Sequence, residues 1–210
     1  CIVSTVPGTT RDSIDVCCCV GQQQYTLIDT AGIRRKHAEH EVVDKFAAVR
    51  TQRAIERCDV CVLMLDAKEG VTTQDKKIAR AIEKAGKGCV ILFNKWDLVK
   101  GIRMEHCLKG AEEEIPFLKH CPKLCVSAVT GRNLPKLFHW VDVVEGECRS
   151  RVTTHQLNKV VAAAMQRYHP PMIQGRRLRI YYATQVEVAP PQIVMFVNHP
   201  DLMTPTYQKY

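Results

Sequence analysis

Four residues, Asn94-Lys95-Trp96-Asp97, carry the most specific chemistry in the chain. They follow the apolar run Cys89-Val90-Ile91-Leu92-Phe93. An Asn-Lys-x-Asp at the end of a buried strand can read a purine base. The Asp97 carboxylate can accept two hydrogen bonds, from the ring N–H and the exocyclic amine of guanine. Adenine offers no such donor pair. Asn94 can bond to the base or tie neighbouring loops together, and the Lys95 stem can lie along the flat face of the base. Ser127-Ala128 can complete the pocket by presenting backbone amides to the base carbonyl. Alone, a four-residue match is weak, and its meaning depends on phosphate and metal groups elsewhere.

Two further stretches supply such groups. In Asp29-Thr30-Ala31-Gly32 a carboxylate can hold Mg²⁺ through a water. The Gly32 amide can approach a terminal phosphate because no side chain blocks it. In Gly8-Thr9-Thr10-Arg11 the Thr10 hydroxyl can serve the same Mg²⁺ and its amide the same phosphate. Each stretch has a bland reading: Asp-x-x-Gly is a common turn, and Thr-Thr is weaker still. The order of the four, after β-type runs with helices between, favours one joint nucleotide site. Asp66 also ends an apolar run, where it can support that site or, as the preferred reading, cap a helix. Arg11 and Asp12 can pair or simply face solvent.

The elements that must position these residues are legible in the apolar pattern. Asp15 to Val20 and Tyr25 to Ile28 read as antiparallel strands joined by a turn at Gly21-Gln22-Gln23-Gln24. Val60 to Leu65, Cys89 to Phe93 and Leu124 to Val126 are continuous apolar strands. Helical spacing covers Phe46 to Glu56, a stretch from Thr73 closed by Gly86 and Gly88, Met104 to Phe117 and Asn133 to Glu147. Strands apolar throughout, alternating with helices, imply a parallel sheet covered on both sides. The polar motifs then fall at strand ends, where open α/β sheets bind ligands. Beyond Arg149, a helix capped by Thr153 or Thr154 runs to Tyr168. Two β-type segments follow, Leu178 to Gln185 and Ile193 to Val197.

Composition narrows the class. With 210 residues, 46% hydrophobic and 25% charged, the chain suits a folded protein of one or two domains. No run of about 18 apolar residues is present, so no transmembrane helix and no membrane partner are expected. No secretory signal is visible. Eleven cysteines lie mostly within apolar runs and read as free thiols in a reducing, cytoplasmic setting. Cys58 and Cys61 have metal-like spacing, but no second pair follows at finger-like distance. The net charge of +8 is uneven. Residues 149–210 hold 8 Lys/Arg against 2 Asp/Glu, which makes them the candidate polyanion-facing part. A basic face that serves solubility or contacts another domain is the bland alternative.

With these motifs in view, the chain resembles the EngA (Der) family, bacterial tandem GTPases of ribosome assembly. The resemblance rests on Pro7-Gly8-Thr9-Thr10-Arg11-Asp12, Asp29-Thr30-Ala31-Gly32-Ile33-Arg34-Arg35-Lys36, Asn94-Lys95-Trp96-Asp97-Leu98 and Ser127-Ala128-Val129-Thr130-Gly131. It continues through Gly175-Arg176-Arg177-Leu178-Arg179-Ile180-Tyr181-Tyr182-Ala183-Thr184-Gln185 and Pro190-Pro191.

The resemblance implies an α/β, P-loop GTPase-type three-layer sandwich lacking its first strand, phosphate loop and first helix. An incomplete α+β KH-like domain follows. Residues 1–148 would be the second GTPase domain, amino-terminally truncated, and residues 149–210 the KH-like domain, carboxyl-terminally truncated. GTP or GDP with Mg²⁺ is the implied ligand, with K⁺ as a further candidate. Asp29, Gly32, Asn94, Lys95, Asp97, Ser127 and Ala128 would bind nucleotide, and Thr10 and Asp29 would hold the metal. Thr10 and Gly32 would take part in hydrolysis. Ile33 cannot orient a water by hydrogen bonding, so hydrolysis would rely on backbone groups and cations. The large ribosomal subunit, its rRNA and a first GTPase domain are the implied partners.

No Gly-x-x-x-x-Gly-Lys-Ser/Thr occurs in the chain. That phosphate loop is expected upstream of Cys1, and without it the chain by itself should bind nucleotide poorly and be inactive. Two other classes compete with the GTPase reading. One is a nucleotide-responsive interaction module that orients neighbouring domains with little turnover. The other, a membrane-linked GTPase, is disfavoured because no lipid-anchor segment is seen.

Overall fold

The computed structural model describes residues 14–29, 49, 51–101, 103–170, 172–173, 175–204 and 207. The chain divides into two compact units, Cys1–Gly146 and Glu147–Tyr210.

The first unit opens with an antiparallel hairpin, β1 (Ile14–Val20) and β2 (Gln23–Asp29), paired from Ile14↔Asp29 to Val20↔Gln23. The expected four-residue turn is shorter: two residues suffice, because Gly21 takes φ +63°, the left-handed backbone that such a turn requires. Two contacts anchor the hairpin. The Arg57 guanidinium lies 2.5 Å from Asp15 Oδ2. The Tyr25 hydroxyl donates to Asp142 at 2.8 Å, and its ring lies 4.9 Å from that of Phe138. Arg57 belongs to a helix, α1, that covers 51–57.

A separate parallel sheet has the order β3-β4-β5, from Val60–Asp66, Gly88–Asn94 and Lys123–Cys125. The central strand β4 explains its own composition. Cys89, Val90, Ile91, Leu92 and Phe93 are each 2% exposed or less, so every side chain must be apolar. Cys89, Ile91 and Phe93 point into one cluster with Ala79 and Ile82 of α2 (Thr73–Lys84) and Ala111 of α3 (Met104–Glu114). Val90 and Leu92 point the other way, against Leu134, Leu137, Trp140, Val141 and Val144 of α4 (Leu134–Cys148). Helices thus cover both faces. Between β2 and β3 lies a cavity of about 220 Å³, lined in part by Leu27 and Ile28 of β2 and by Val60 and Val62 of β3. The hairpin and the parallel sheet do not join into one sheet among the described residues.

Helix α2 starts at Thr73 as expected, while its cap and the end of α3 have local causes. Helix α2 is capped by Thr72: its hydroxyl accepts the Asp75 amide, and Asp75 returns a bond to the Thr72 amide. This cap leaves Asp66 free of the helix-capping role preferred for it. Helix α3 stops at Glu114 because Ile115, ahead of Pro116, leaves the helical region at φ −130°, ψ 61°.

The Cys58 and Cys61 thiols lie 3.3 Å apart. Hydrogen bonding from Cys61 pulls Cys58 down to about 7, opposed by burial and helped by Lys87, while Cys61 itself is driven upward. Iodoacetamide should therefore label Cys58 with a half-maximal rate near pH 7, against about 8.5 for an ordinary thiol. Cys61→Ala should move that midpoint back up. Mass spectrometry of the labelled peptide across pH checks both, and an unshifted midpoint in the variant would rule the coupling out.

The second unit packs α5 (Thr154–Arg167) on the hairpin of β8 (Ile180–Glu187) and β9 (Gln192–Val197). Thr153 caps α5 by accepting the Gln156 amide. Asn158 clamps helix to strand: its Nδ2 donates to the Ala183 carbonyl at 2.8 Å, and its Oδ1 accepts the Ala183 amide at 2.9 Å. A two-residue pair that the apolar pattern missed, β6 (Met172–Ile173) with β7 (Arg176–Arg177), turns through Gly175 at φ +74°. Two residues are too few to leave a periodic signal.

Candidate nucleotide-binding site

The carboxyl ends of the three parallel strands bring together the residues that the sequence selects for base reading. Asp66 ends β3 and is in register with Asn94, which ends β4. Ser127 follows β5 by two residues. The loop from Asn94 is stitched to both neighbours. The Asn94 carbonyl accepts the Ala67 amide at 2.8 Å on one side, and the Trp96 amide donates to the Val126 carbonyl at 3.1 Å on the other.

Lys95 adopts φ +61°, ψ 32°, an uncommon backbone for a residue with a side chain. It turns the chain sharply from strand into the 3₁₀ turn Trp96–Leu98. Trp96 then enters the core beneath the loop. The burial of its ring offsets the strain at Lys95 and fixes the residue on each side. Asp97 is thereby held at the rim.

The Ser127 hydroxyl donates to Asp97 Oδ1 at 2.5 Å and accepts the Thr130 amide at 3.2 Å. Ser127 is fully buried, so this hydroxyl is a fixed donor. It occupies one lone pair of Asp97 and sets the carboxylate plane. The remaining lone pairs can take two parallel N–H donors. Sequence reasoning assigns backbone amides of Ser127-Ala128 to the base carbonyl, and in this structure both amides have protein partners. The Ser127 amide is spent within its own loop on the Arg132 carbonyl at 3.2 Å, so its side chain is the useful group. The Ala128 amide donates to Asn94 Oδ1 at 3.0 Å. Asn94 is thus a loop tie in this structure, one of the two roles open to it. The Asn94 Nδ2 reaches Met64 Sδ at 3.6 Å.

Of the sequence-selected residues, Asn94, Lys95, Asp97, Ser127 and Ala128 converge. Asp29 ends β2. Thr10 and Gly32 lie outside the described residues. Among the described residues, no group of three or more His, Cys, Asp or Glu could hold a metal ion. Asp66, for which the sequence favoured a helix cap over support of the site, has its Oδ2 2.5 Å from Lys95 Nζ. Its signal was present, since a carboxylate ending a parallel neighbour strand opposite Asn94 faces the same loop.

Comparison with known proteins bears on the family and the fold. Residues 1–95 match the family described as 50S ribosome-binding GTPase. Residues 151–210 match the KH-domain-like family of EngA bacterial GTPase enzymes, C-terminal. The chain is 66% identical over 210 residues to GTPase Der of Protochlamydia amoebophila, covering 100% of this chain and 43% of that protein. It is 46% identical over 211 residues to GTPase Der of Pelotomaculum thermopropionicum, covering 100% and 48%. The chain thus spans under half the length of these relatives. Among solved structures, a point variant of Aquifex aeolicus Era bound to GDP·AlF4⁻ aligns with a TM-score of 0.59 at 18% identity, over 96% of this chain and 71% of that one. Era in complex with MgGDPNP and 16S ribosomal RNA nucleotides 1506–1542 aligns with 0.59 at 19%, over 99% and 75%. These likenesses show a P-loop GTPase-type α/β fold. No helix among the described residues is long and apolar enough to cross a membrane. Motifs, fold and relatives that match along the whole of its length place this chain in the EngA (Der) family of bacterial GTPases.

Proposed function

We propose that the intact protein binds and hydrolyses GTP in the cytoplasm and acts in assembly of the large ribosomal subunit. Residues 1–148 would be its second GTPase domain and residues 149–210 part of a KH-like domain. The observation that carries the nucleotide part is the Asp97 carboxylate, oriented by the buried Ser127 hydroxyl at 2.5 Å with lone pairs left for a guanine edge.

In this reading Asp97 accepts the guanine N–H groups, and the Lys95 stem covers one face of the base. The Ala128 amide exchanges Asn94 for the base carbonyl. The Gly32 amide takes the terminal phosphate. The Thr10 hydroxyl and the Asp29 carboxylate are hard oxygen donors of the kind Mg²⁺ prefers. When bound, Mg²⁺ would neutralise phosphate charge, and K⁺ is the further cation of this reading. Thr10 and Gly32 would act through their backbone amides, which can meet charge as it develops on the transferred phosphoryl group. The ribosomal assignment is supported by the description of the family matched at residues 1–95. It is also supported by the net charge of +6 on residues 149–210, a sign suited to rRNA phosphates. Contact with a first GTPase domain completes the proposed set of partners.

The test is a comparison of GTP and ATP binding to the intact protein with Mg²⁺ present. GTP should bind at least about 100-fold more tightly, because adenine leaves Asp97 without donors. Equal affinities would sink the guanine assignment. Single-turnover hydrolysis on the same protein then separates an enzyme from a nucleotide-responsive interaction module.

A further inference from the structure

Base reading by Asp97 does not account for the partner of Lys95. The Lys95 ammonium lies 2.5 Å from Asp66 Oδ2, across the two strand ends. Asp66 Oδ1 accepts the Lys68 amide at 2.9 Å, so the carboxylate is held from its own side as well. The Asp66 side chain is 19% exposed and that of Lys95 52%. The anion is therefore the more enclosed member of the pair, held before the ammonium reaches it. Burial alone would raise the Asp66 carboxyl. The Lys95 ammonium and the Lys68 and Glu69 amides outweigh it and hold the carboxyl below its ordinary range. Asp66 is thus an anion at neutral pH. Helix α2 draws nothing from it, being capped by Thr72 and Asp75.

The consequence lies in the Lys95 stem. Its backbone end is fixed by the left-handed turn, and its ammonium end by Asp66. A free lysine stem has several rotatable bonds to immobilise when a flat base settles against it. A stem already held at both ends loses far less freedom. We infer that Asp66 is a positioning residue for the nucleotide: it holds the Lys95 stem along the face of the bound base and so sets how long the nucleotide stays. This inference rests on the guanine reading above. It assigns Asp66 no part in telling one base from another, since the base edge belongs to Asp97.

The test is release of mant-labelled GDP from the intact protein in stopped flow. Asp66→Asn should speed release about tenfold, the scale of one long side chain set loose. Asp66→Glu should return the rate to within about threefold of the original, because an anion is restored. In a Lys95→Met background, Asp66→Asn should have no further effect. A purely structural Asp66 would cost the same in that background. In an Asp97→Asn background, Asp66→Asn should speed xanthosine diphosphate release by a similar factor, since the face contact does not depend on the edge. An unchanged release rate in Asp66→Asn, or an undiminished effect beside Lys95→Met, overturns the inference while the guanine reading stands. If the unmutated protein shows no preference for guanine nucleotides, the guanine reading falls, and this role for Asp66 falls with it.

Discussion

Asp97→Asn should move the intact protein from guanine toward xanthine nucleotides. The amide keeps one oxygen for the ring N–H and gains a donor where the carboxylate had an acceptor. Guanine then brings its exocyclic amine against an N–H, so two donors face each other. Xanthine brings a carbonyl and completes the pair. Sites built on paired hydrogen bonds reject an analogue that leaves polar groups unpaired by about 10⁴-fold. A fall of roughly 10³-fold or more in GTP affinity is the corresponding expectation. Ser127 makes the exchange feasible, because its hydroxyl donates to Asp97 Oδ1 and can keep the amide oxygen in that place. Competition of GDP and xanthosine diphosphate against a mant-labelled probe measures the switch. Undiminished guanine binding would mean that Asp97 is not the base reader.

Phe93→Ala should have the largest effect on stability. Phe93 is 1% exposed and lies one residue before Asn94 in the central strand. Its register partners are Leu65 in β3 and Cys125 in β5, so the sheet surrounds it on both edges. Truncating a buried Phe costs about 3–5 kcal/mol, combining lost transfer energy with the cavity left behind. For a unit of this size, that lowers a urea midpoint by about 2 M. Urea titration of the intact protein, followed by tryptophan fluorescence, reports on the loss through Trp96 in the same core cluster. A change below about 1 kcal/mol would contradict the packing described for β4. Nucleotide affinity should fall as well, because the strand that loses its anchor is the one that delivers Asn94 and Lys95.

What could be read in the sequence follows from how strongly each environment constrains its residues. Strand β4 was plain, since burial on both faces admits only apolar side chains, and the Asn-Lys-x-Asp run begins on its last residue. The β1–β2 hairpin was equally plain from its β-rich runs, and Gly21 fixed its turn. The role of Ser127 was only half legible. A serine after a strand signals a loop, but whether its amide or its hydroxyl serves the site depends on the Arg132 carbonyl five residues on. Asp66 was harder still. Its pairing with Lys95 spans 29 positions and exists only once β3 lies beside β4. Local chemistry at a strand end suggests a helix cap, and Thr72 takes that role because its hydroxyl and Asp75 form a reciprocal pair. The β6–β7 pair has two residues a side, below what periodicity can register.

The parallel order β3-β4-β5 also sets a timetable for synthesis. An antiparallel hairpin such as β8–β9 can close as soon as its second strand emerges, because its partners are adjacent in the chain. Strand β4 cannot complete its pairing that way. Its partner on one side, Lys123–Cys125, arrives about 30 residues later, a delay of roughly two to six seconds at ribosomal speeds of 5–20 residues per second. During that interval the run Cys89–Phe93, whose side chains are each 2% exposed or less in the folded protein, has one strand edge open. Helix α3, which the ribosome delivers within the same interval, can cover the Phe93 face before β5 closes the edge.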